Sequence, residues 1–253
     1  MKKLNLRDIK KAKKKNIQML TCYDFQTAQL LNETDIDLIL VGDSLGNVIL
    51  GYETTVEVSL TEMEIFSKAV RRGAPDKFLI VDLPFGSYST ISQGIYSATK
   101  LFQNTQCEAI KLEGAFPYQL KLIERLTQIG IPVMGHIGLT PQSVHQLGGY
   151  FTHGQNEDDA SRLLKEARNL QAAGCFCIVL EMVNDAVSTK ISKELLIPTI
   201  GIGSGKNTDG QVLVINDLLK MGPATPPKFC VPVADLYQVR KDLILKYLSD
   251  QRK

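Results

Sequence analysis

The sequence predicts a single (β/α)₈ TIM barrel, one domain over residues 1–253, entered through a short N-terminal helix. Three observations predict it. The chain has 253 residues of which 44% are hydrophobic, a length and core content that single α/β barrels commonly show. Short apolar runs are each followed by a polar or glycine-bearing turn and then by a longer stretch of helical spacing, the β-then-α pattern. The runs number eight, the count at which parallel strands with helical crossovers close into a barrel; an open doubly wound sheet is the structural alternative.

The strand runs are Gln18 to Thr21, Leu38 to Val41, Phe78 to Val81, Ala109 to Leu112, Val133 to Gly135, Phe176 to Leu180, Thr199 to Ile202 and Gln211 to Ile215. Between them lie amphipathic helices over Phe25 to Glu33, Thr61 to Arg72, Ser92 to Gln106, Pro117 to Ile129, Glu157 to Ala173 and Asn184 to Leu195. Thr61 and Glu64 have capping-box spacing, and Gly130 and Gly174 stand where helices stop. The seventh crossover, Gly203 to Gly210, is too short for a full helix. Leu236, Val239, Leu243 and Tyr247 put an apolar stripe on a last helix.

A formal net charge of +2 with 22% charged residues excludes disorder and a globally basic nucleic-acid surface, which leaves small molecules as the expected partners. Eight of the 29 basic residues, Lys2, Lys3, Arg7, Lys10, Lys11, Lys13, Lys14 and Lys15, crowd the start beside one acid, Asp8. With no aromatic residues interleaved for base stacking, that run reads as a solvated helix or tail. The five cysteines are odd in number and scattered, as expected of reduced, buried thiols in a cytoplasmic protein. No stretch has the roughly 18 to 20 apolar residues that cross a bilayer, and Met1 to Arg7 has no signal-peptide core, so a cytoplasmic protein without membrane partners is expected.

In a barrel the active site lies at the C-terminal ends of the strands. Asp43 and Ser44 follow strand two, Asp82 strand three, Lys111 and Glu113 end strand four, His136 follows strand five and Glu181 strand six. Crowded carboxylates repel, and a divalent cation relieves the repulsion. Asp43, Asp82 and Glu113 are hard oxygen donors with no His or Cys among them, which favours Mg²⁺ over Zn²⁺. A 2-oxo acid could bind the same ion, which would stabilise the enolate formed when a proton leaves the carbon beside the ketone. Glu181 ends an apolar run, where partial burial makes a carboxylate a better proton acceptor. Lys111 can neutralise substrate charge and Ser44 can donate a hydrogen bond. His136 is a possible pocket residue, while His145 and His153 lack ligand spacing. Gly201-Ile202-Gly203-Ser204-Gly205-Lys206 fails both nucleotide fingerprints, since a P-loop needs Gly at Ile200 and the dinucleotide motif needs Gly or Ala at Lys206.

These residues carry a family likeness. Val41-Gly42-Asp43-Ser44-Leu45-Gly46, Asp82-Leu83-Pro84-Phe85, Lys111-Leu112-Glu113-Gly114 and Gly135-His136-Ile137-Gly138-Leu139-Thr140-Pro141-Gln142-Ser143 resemble, in order and spacing, the ketopantoate hydroxymethyltransferase family. Leu180-Glu181 and Thr208-Asp209-Gly210-Gln211 extend the match, which runs from about Thr21 to Phe229. The resemblance implies that Asp43, Asp82 and Glu113 make the Mg²⁺ site, that Asp43, Ser44, Asp82 and Lys111 bind the 2-oxo acid, and that Glu181 is the proton acceptor. It further implies 5,10-methylenetetrahydrofolate as cosubstrate and a cytoplasmic homo-oligomer, typically a homodecamer. The sequence departs from the family at Ala115, His153, Ser204 and Asn216, none of them a proposed catalytic group. Two rivals compete with this reading: another magnesium enolate enzyme on a related barrel, and a non-catalytic binder using the lysine-rich start.

Overall fold

A computed structural model describes residues 3–252, so Met1, Lys2 and Lys253 lie outside the described residues. Eight parallel strands pair in chain order and close: β1 (Ile17–Thr21), β2 (Leu38–Val41), β3 (Phe78–Asp82), β4 (Ala109–Glu113), β5 (Val133–Gly138), β6 (Cys177–Glu181), β7 (Thr199–Ile202) and β8 (Gly210–Leu213). The Ile17 N–H donates to the Asp209 carbonyl at 2.8 Å, joining the last strand's entry to the first strand. A closed barrel, rather than an open sheet, is therefore the answer. By contact density the chain divides into two compact units, one running to Val212 and one from Leu213.

Ahead of the barrel stands α1 (Leu6–Lys10), whose Asn5 and Asp8 form a capping box. The crossovers carry α2 (Phe25–Asn32), α3 (Leu60–Gly73), α4 (Ile91–Thr105), α5 (Pro117–Gln128), α6 (Val144–Leu147), α7 (Glu157–Ala172) and α8 (Asp185–Glu194). Polar caps start most of them: Asp24, Ser59, Thr90, Asn156 and Asn184 each accept a backbone N–H of the first turn. The box that starts α3 is Ser59 with Glu62, not Thr61 with Glu64, because Ser59 holds the extended backbone that a cap requires (φ −88°, ψ 159°). As the short spacing predicts, no helix lies between β7 and β8 among the described residues.

Inward-facing side chains alternate along each strand. Met19, Leu38, Leu40, Phe78, Ile80, Ala109, Met134, Cys177, Val179, Ile200 and Val212 fill the lower interior as one apolar cluster, and Ile9 of α1 joins it from below. Two residues further along the same face the chemistry changes: Ile80 gives way to Asp82, Ala109 to Lys111, Met134 to His136 and Val179 to Glu181. Apolar periodicity alone ends these strands at the last apolar residue. The ladder instead continues through the polar ones, pairing Asp82 with Lys111, Glu113 with His136 and Gly138 with Glu181. Backbone pairing does not depend on side-chain polarity, so Asp82, Lys111, Glu113, His136 and Glu181 sit on the barrel wall, while Asp43 and Ser44 lie in the loop after β2.

At the closed end Lys13 departs from the solvated reading of the basic run. Its ammonium lies 2.7 Å from Asp209 and 2.6 Å from the Ser192 carbonyl. All five cysteines are free and buried, as expected.

In the second unit the eighth run stops at Leu213, because Ile215 already opens the short α9 (Ile215–Leu218). The last helix, α10 (Leu236–Gln251), has no buried residue, and Leu243, Ile244, Leu245 and Tyr247 on it are exposed. Among the described residues no helix is long and apolar enough to cross a membrane.

Candidate active site

Two glycines let the chain turn over the barrel mouth. Gly138, at φ +96°, ends β5 where a Cβ would stand 2.2 Å from the Glu181 carbonyl oxygen, and Gly114, at φ +93°, follows Glu113 where a Cβ would meet the Gln119 amide at 2.6 Å. Only glycine fits either place.

Seven groups then form a continuous chain. Lys111 Nζ donates to Asp82 Oδ1 at 2.6 Å, and Asp82 Oδ2 accepts the Asp43 N–H at 3.2 Å. Asp43 Oδ2 accepts from the Gln142 side-chain amide at 2.7 Å, and the Gln142 backbone N–H donates to Glu113 Oε2 at 3.1 Å. Glu113 Oε1 lies 3.4 Å from His136 Nδ1, and His136 Nε2 lies 3.3 Å from Glu181 Oε2. Ser44 stands beside this chain, its hydroxyl 2.8 Å from that of Tyr23. Every residue singled out from the sequence is thus brought to the same mouth. Asp43, Asp82, Lys111, Glu113 and His136 are buried there, while Glu181 is only partly buried.

The electrostatics follow from that crowding. Burial first, and then the neighbouring charges of Asp82 and Glu113, push the Asp43 carboxyl well above the usual aspartate range. Burial alone would lower the Lys111 ammonium, but the surrounding Asp82, Glu113 and Asp43 raise it instead, so it stays charged. Burial and Lys111 both work against a proton on His136, and Glu113 and Glu181 outweigh them, raising it to about 9. Its two nitrogens stand at ion-pair distance from those acids without reaching good hydrogen-bond geometry.

Four carboxylates, Asp43, Asp82, Glu113 and Glu181, therefore face two cations, Lys111 and the imidazolium of His136. Two negative charges are left over when all are ionised, and that surplus among oxygen donors is what a divalent hard cation balances. Among the described residues no three His, Cys, Asp or Glu side chains are already gathered around a common point. The acids suit a hard cation by charge and donor chemistry, while Lys111 takes one oxygen of Asp82 and Gln142 one of Asp43.

Sequence reasoning does not single out Gln142 or Tyr88, whose hydroxyl donates to the Gln142 side-chain oxygen at 2.5 Å. Gln142 lies inside the His136–Ser143 block that carries the family likeness, which could have drawn attention to it; Tyr88 has no sequence signal. A cavity of about 500 Å³ adjoins the loops after β4 and β5, lined by Phe116, Phe151, His153 and Arg162 among others.

Comparison with known proteins points to one family. The family model described as ketopantoate hydroxymethyltransferase matches residues 3–253. A 3-methyl-2-oxobutanoate hydroxymethyltransferase of Leptospira interrogans serovar copenhageni is 52% identical over 239 residues, 94% of this chain and 90% of that one. Its counterpart from Thermotoga sp. strain RQ2 is 46% identical over 252 residues, covering 99% and 91%. In fold, the chain is similar to phosphoenolpyruvate phosphomutase of Streptomyces platensis subsp. rosaceus, with a TM-score of 0.68, 11% identity and coverage of 98% and 88%. Phosphonopyruvate hydrolase gives 0.64 at 10% identity, covering 100% and 87%. Those identities bear on the barrel architecture alone, whereas the family match spans residues 3–253: the protein belongs to the ketopantoate hydroxymethyltransferase family of enzymes.

Proposed function

We propose that the enzyme transfers a one-carbon unit from 5,10-methylenetetrahydrofolate to 3-methyl-2-oxobutanoate, forming 2-dehydropantoate on the route to pantothenate. The surplus of negative charge at Asp43, Asp82 and Glu113 beside a charged Lys111 carries this reading. Asp43, Asp82 and Glu113 would hold Mg²⁺, which when bound supplies Lewis acidity toward the ketone and balances enolate charge. Lys111 attracts the 2-oxo acid and Ser44 hydrogen-bonds it. Glu181 takes the proton from the carbon beside the ketone, the C–H pair forming the enolate double bond. His136 sets a positive charge 3.3 Å from Glu181.

The enolate carbon then bonds to the one-carbon unit as its bonds to the folate nitrogens break. Overall one water is consumed: its oxygen becomes the product hydroxyl, and both folate nitrogens recover an N–H. The cavity beside Phe116 and Phe151 offers room near the mouth for a second, aromatic substrate. Product formation from the two substrates, strictly dependent on added Mg²⁺ after chelation, is the expected result; full activity in excess chelator would overturn the metal reading.

We also read the enzyme as a cytoplasmic homo-oligomer, a homodecamer by family resemblance. In support, α10 exposes Leu243, Ile244, Leu245 and Tyr247, an apolar surface of the kind that partner chains cover. Light scattering should give a mass of about ten chains, and a monomeric mass would contradict it.

A further inference from the structure

We propose that Gln142 is the positioning residue of the acidic site, holding Asp43 and Glu113 in the arrangement that takes up the divalent cation, with Tyr88 fixing the direction of its amide. The inference rests on the reading of Asp43, Asp82 and Glu113 as a magnesium site. Gln142 is 99 residues from Asp43 and 29 from Glu113 in the chain, yet it bonds to both. A single loop residue therefore ties the end of β2 to the end of β4.

Hydrogen-bond accounting shows how completely the side chain is committed. A glutamine amide offers two N–H donors and one carbonyl acceptor, and at 5% exposure an unmet group would be costly. Here Nε2 donates to Asp43 Oδ2 at 2.7 Å and to the Leu83 carbonyl at 2.9 Å, while Oε1 accepts the Tyr88 hydroxyl at 2.5 Å. Turning the amide over would set its oxygen against a carboxylate and a carbonyl, both acceptors, so only one orientation satisfies the network. The backbone N–H, delivered by the 3₁₀ turn Pro141–Ser143, is spent on Glu113.

The choice of glutamine has a physical reason. Asp43 and Glu113 repel each other, and Gln142 links them, its neutral side-chain amide donating to Asp43 and its backbone N–H to Glu113, without changing the charge of the site. A lysine there would cancel the charge that attracts a cation, and a glutamate would add a further competing acid. Because the amide engages one oxygen of Asp43, it also selects which oxygen is presented to the ion, the usual task of a residue that stands behind a metal ligand.

Two variants separate this role from mere packing. Gln142→Met keeps length and volume but removes the amide, and Tyr88→Phe keeps the amide but removes the hydroxyl that orients it. Binding of Mg²⁺ alone, without substrate, is measured by calorimetry, with Mn²⁺ followed by electron paramagnetic resonance as a second probe. Gln142→Met should weaken metal binding by roughly 10–100-fold, the range typical of such outer partners, and Tyr88→Phe should weaken it less. Chelated Gln142→Met should unfold at a lower midpoint than the parent, since Asp43, the Leu83 carbonyl and the Tyr88 hydroxyl lose a buried partner, and high Mg²⁺ should restore its turnover. Metal affinity equal to the parent's in both variants overturns the proposal. Should Gln142→Met fail to fold, Tyr88→Phe decides alone. If the parent takes up no metal, the magnesium reading falls and this role falls with it; if the parent binds and both variants bind equally, only the role of Gln142 falls.

Discussion

Asp43 and Asp209 are both 5% exposed, at opposite ends of one barrel, and their surroundings could hardly differ more. Asp209, at the closed end, accepts from Lys13 Nζ at 2.7 Å, the Lys14 N–H at 2.9 Å, the Thr199 N–H at 2.9 Å and the Thr199 hydroxyl at 3.0 Å. Asp43, at the mouth, accepts from the neutral Gln142 amide while facing the charges of Asp82 and Glu113. A buried carboxylate with its own cation and a full set of donors is a structural clamp. One left among like charges keeps an unmet demand for positive charge, and that demand is the basis of function.

The comparison breaks most visibly at the clamp. Asp209→Ala deprives the partly buried Lys13 of its carboxylate and leaves the Lys14 and Thr199 donors without an acceptor, each unmet group costing about 1–3 kcal/mol in denaturant unfolding, while molecules that remain folded turn over as the parent does. A stable variant, or one that folds well but has lost activity, would mean that the closed end is not purely structural.

At the mouth the sign of the effect depends on the cation. Mg²⁺ at one hundred times its dissociation constant should stabilise the parent by about 2.7 kcal/mol. Asp82→Ala should lose that increment along with activity. Equal thermal shifts in parent and variant would remove Asp82 from the metal site.

The smallest effect runs against the usual direction of mutation. The fold raises the Asp43 carboxyl, so it favours the protonated form. The metal-free protein therefore carries no penalty at pH below the unfolded aspartate value. It loses stability as pH rises and Asp43 is forced to ionise. Asp43→Asn mimics the protonated group and should raise the metal-free unfolding midpoint at neutral pH by roughly 2–4 °C, what about 1 kcal/mol produces in a chain of this size, while abolishing activity. A lowered midpoint would show that the Asp43 charge is already compensated without metal.

Much of the molecule is legible in its sequence. Eight apolar runs locate all eight strands, and the polar residues just beyond them locate Asp43, Asp82, Lys111, Glu113, His136 and Glu181. The strand ends fall short because an apolar run reports burial, whereas the ladder that carries Asp82 and Glu181 is a backbone property. Lys13 is illegible for a related reason, since the partner that removes it from solvent is 196 residues away. Gln142 escapes because a neutral side chain is recognised as functional only when both acids it bridges are seen in space. The stripe expected on the last helix is not what α10 shows: Leu243, Ile244 and Leu245 are consecutive, so its exposed apolar side chains are spread around the helix and none is buried.

Removal of the proton beside the ketone by Glu181 can be isolated as a partial reaction. With folate absent and Mg²⁺ present, the parent enzyme should exchange that proton of 3-methyl-2-oxobutanoate with deuterated water, a step visible by nuclear magnetic resonance. Glu181→Gln keeps the shape and the approach of His136 but cannot accept the proton, so its exchange should fall by about 10²–10⁴-fold, the usual worth of a positioned general base, with substrate and metal still bound. Exchange at the parent's rate in Glu181→Gln would assign the base to another group.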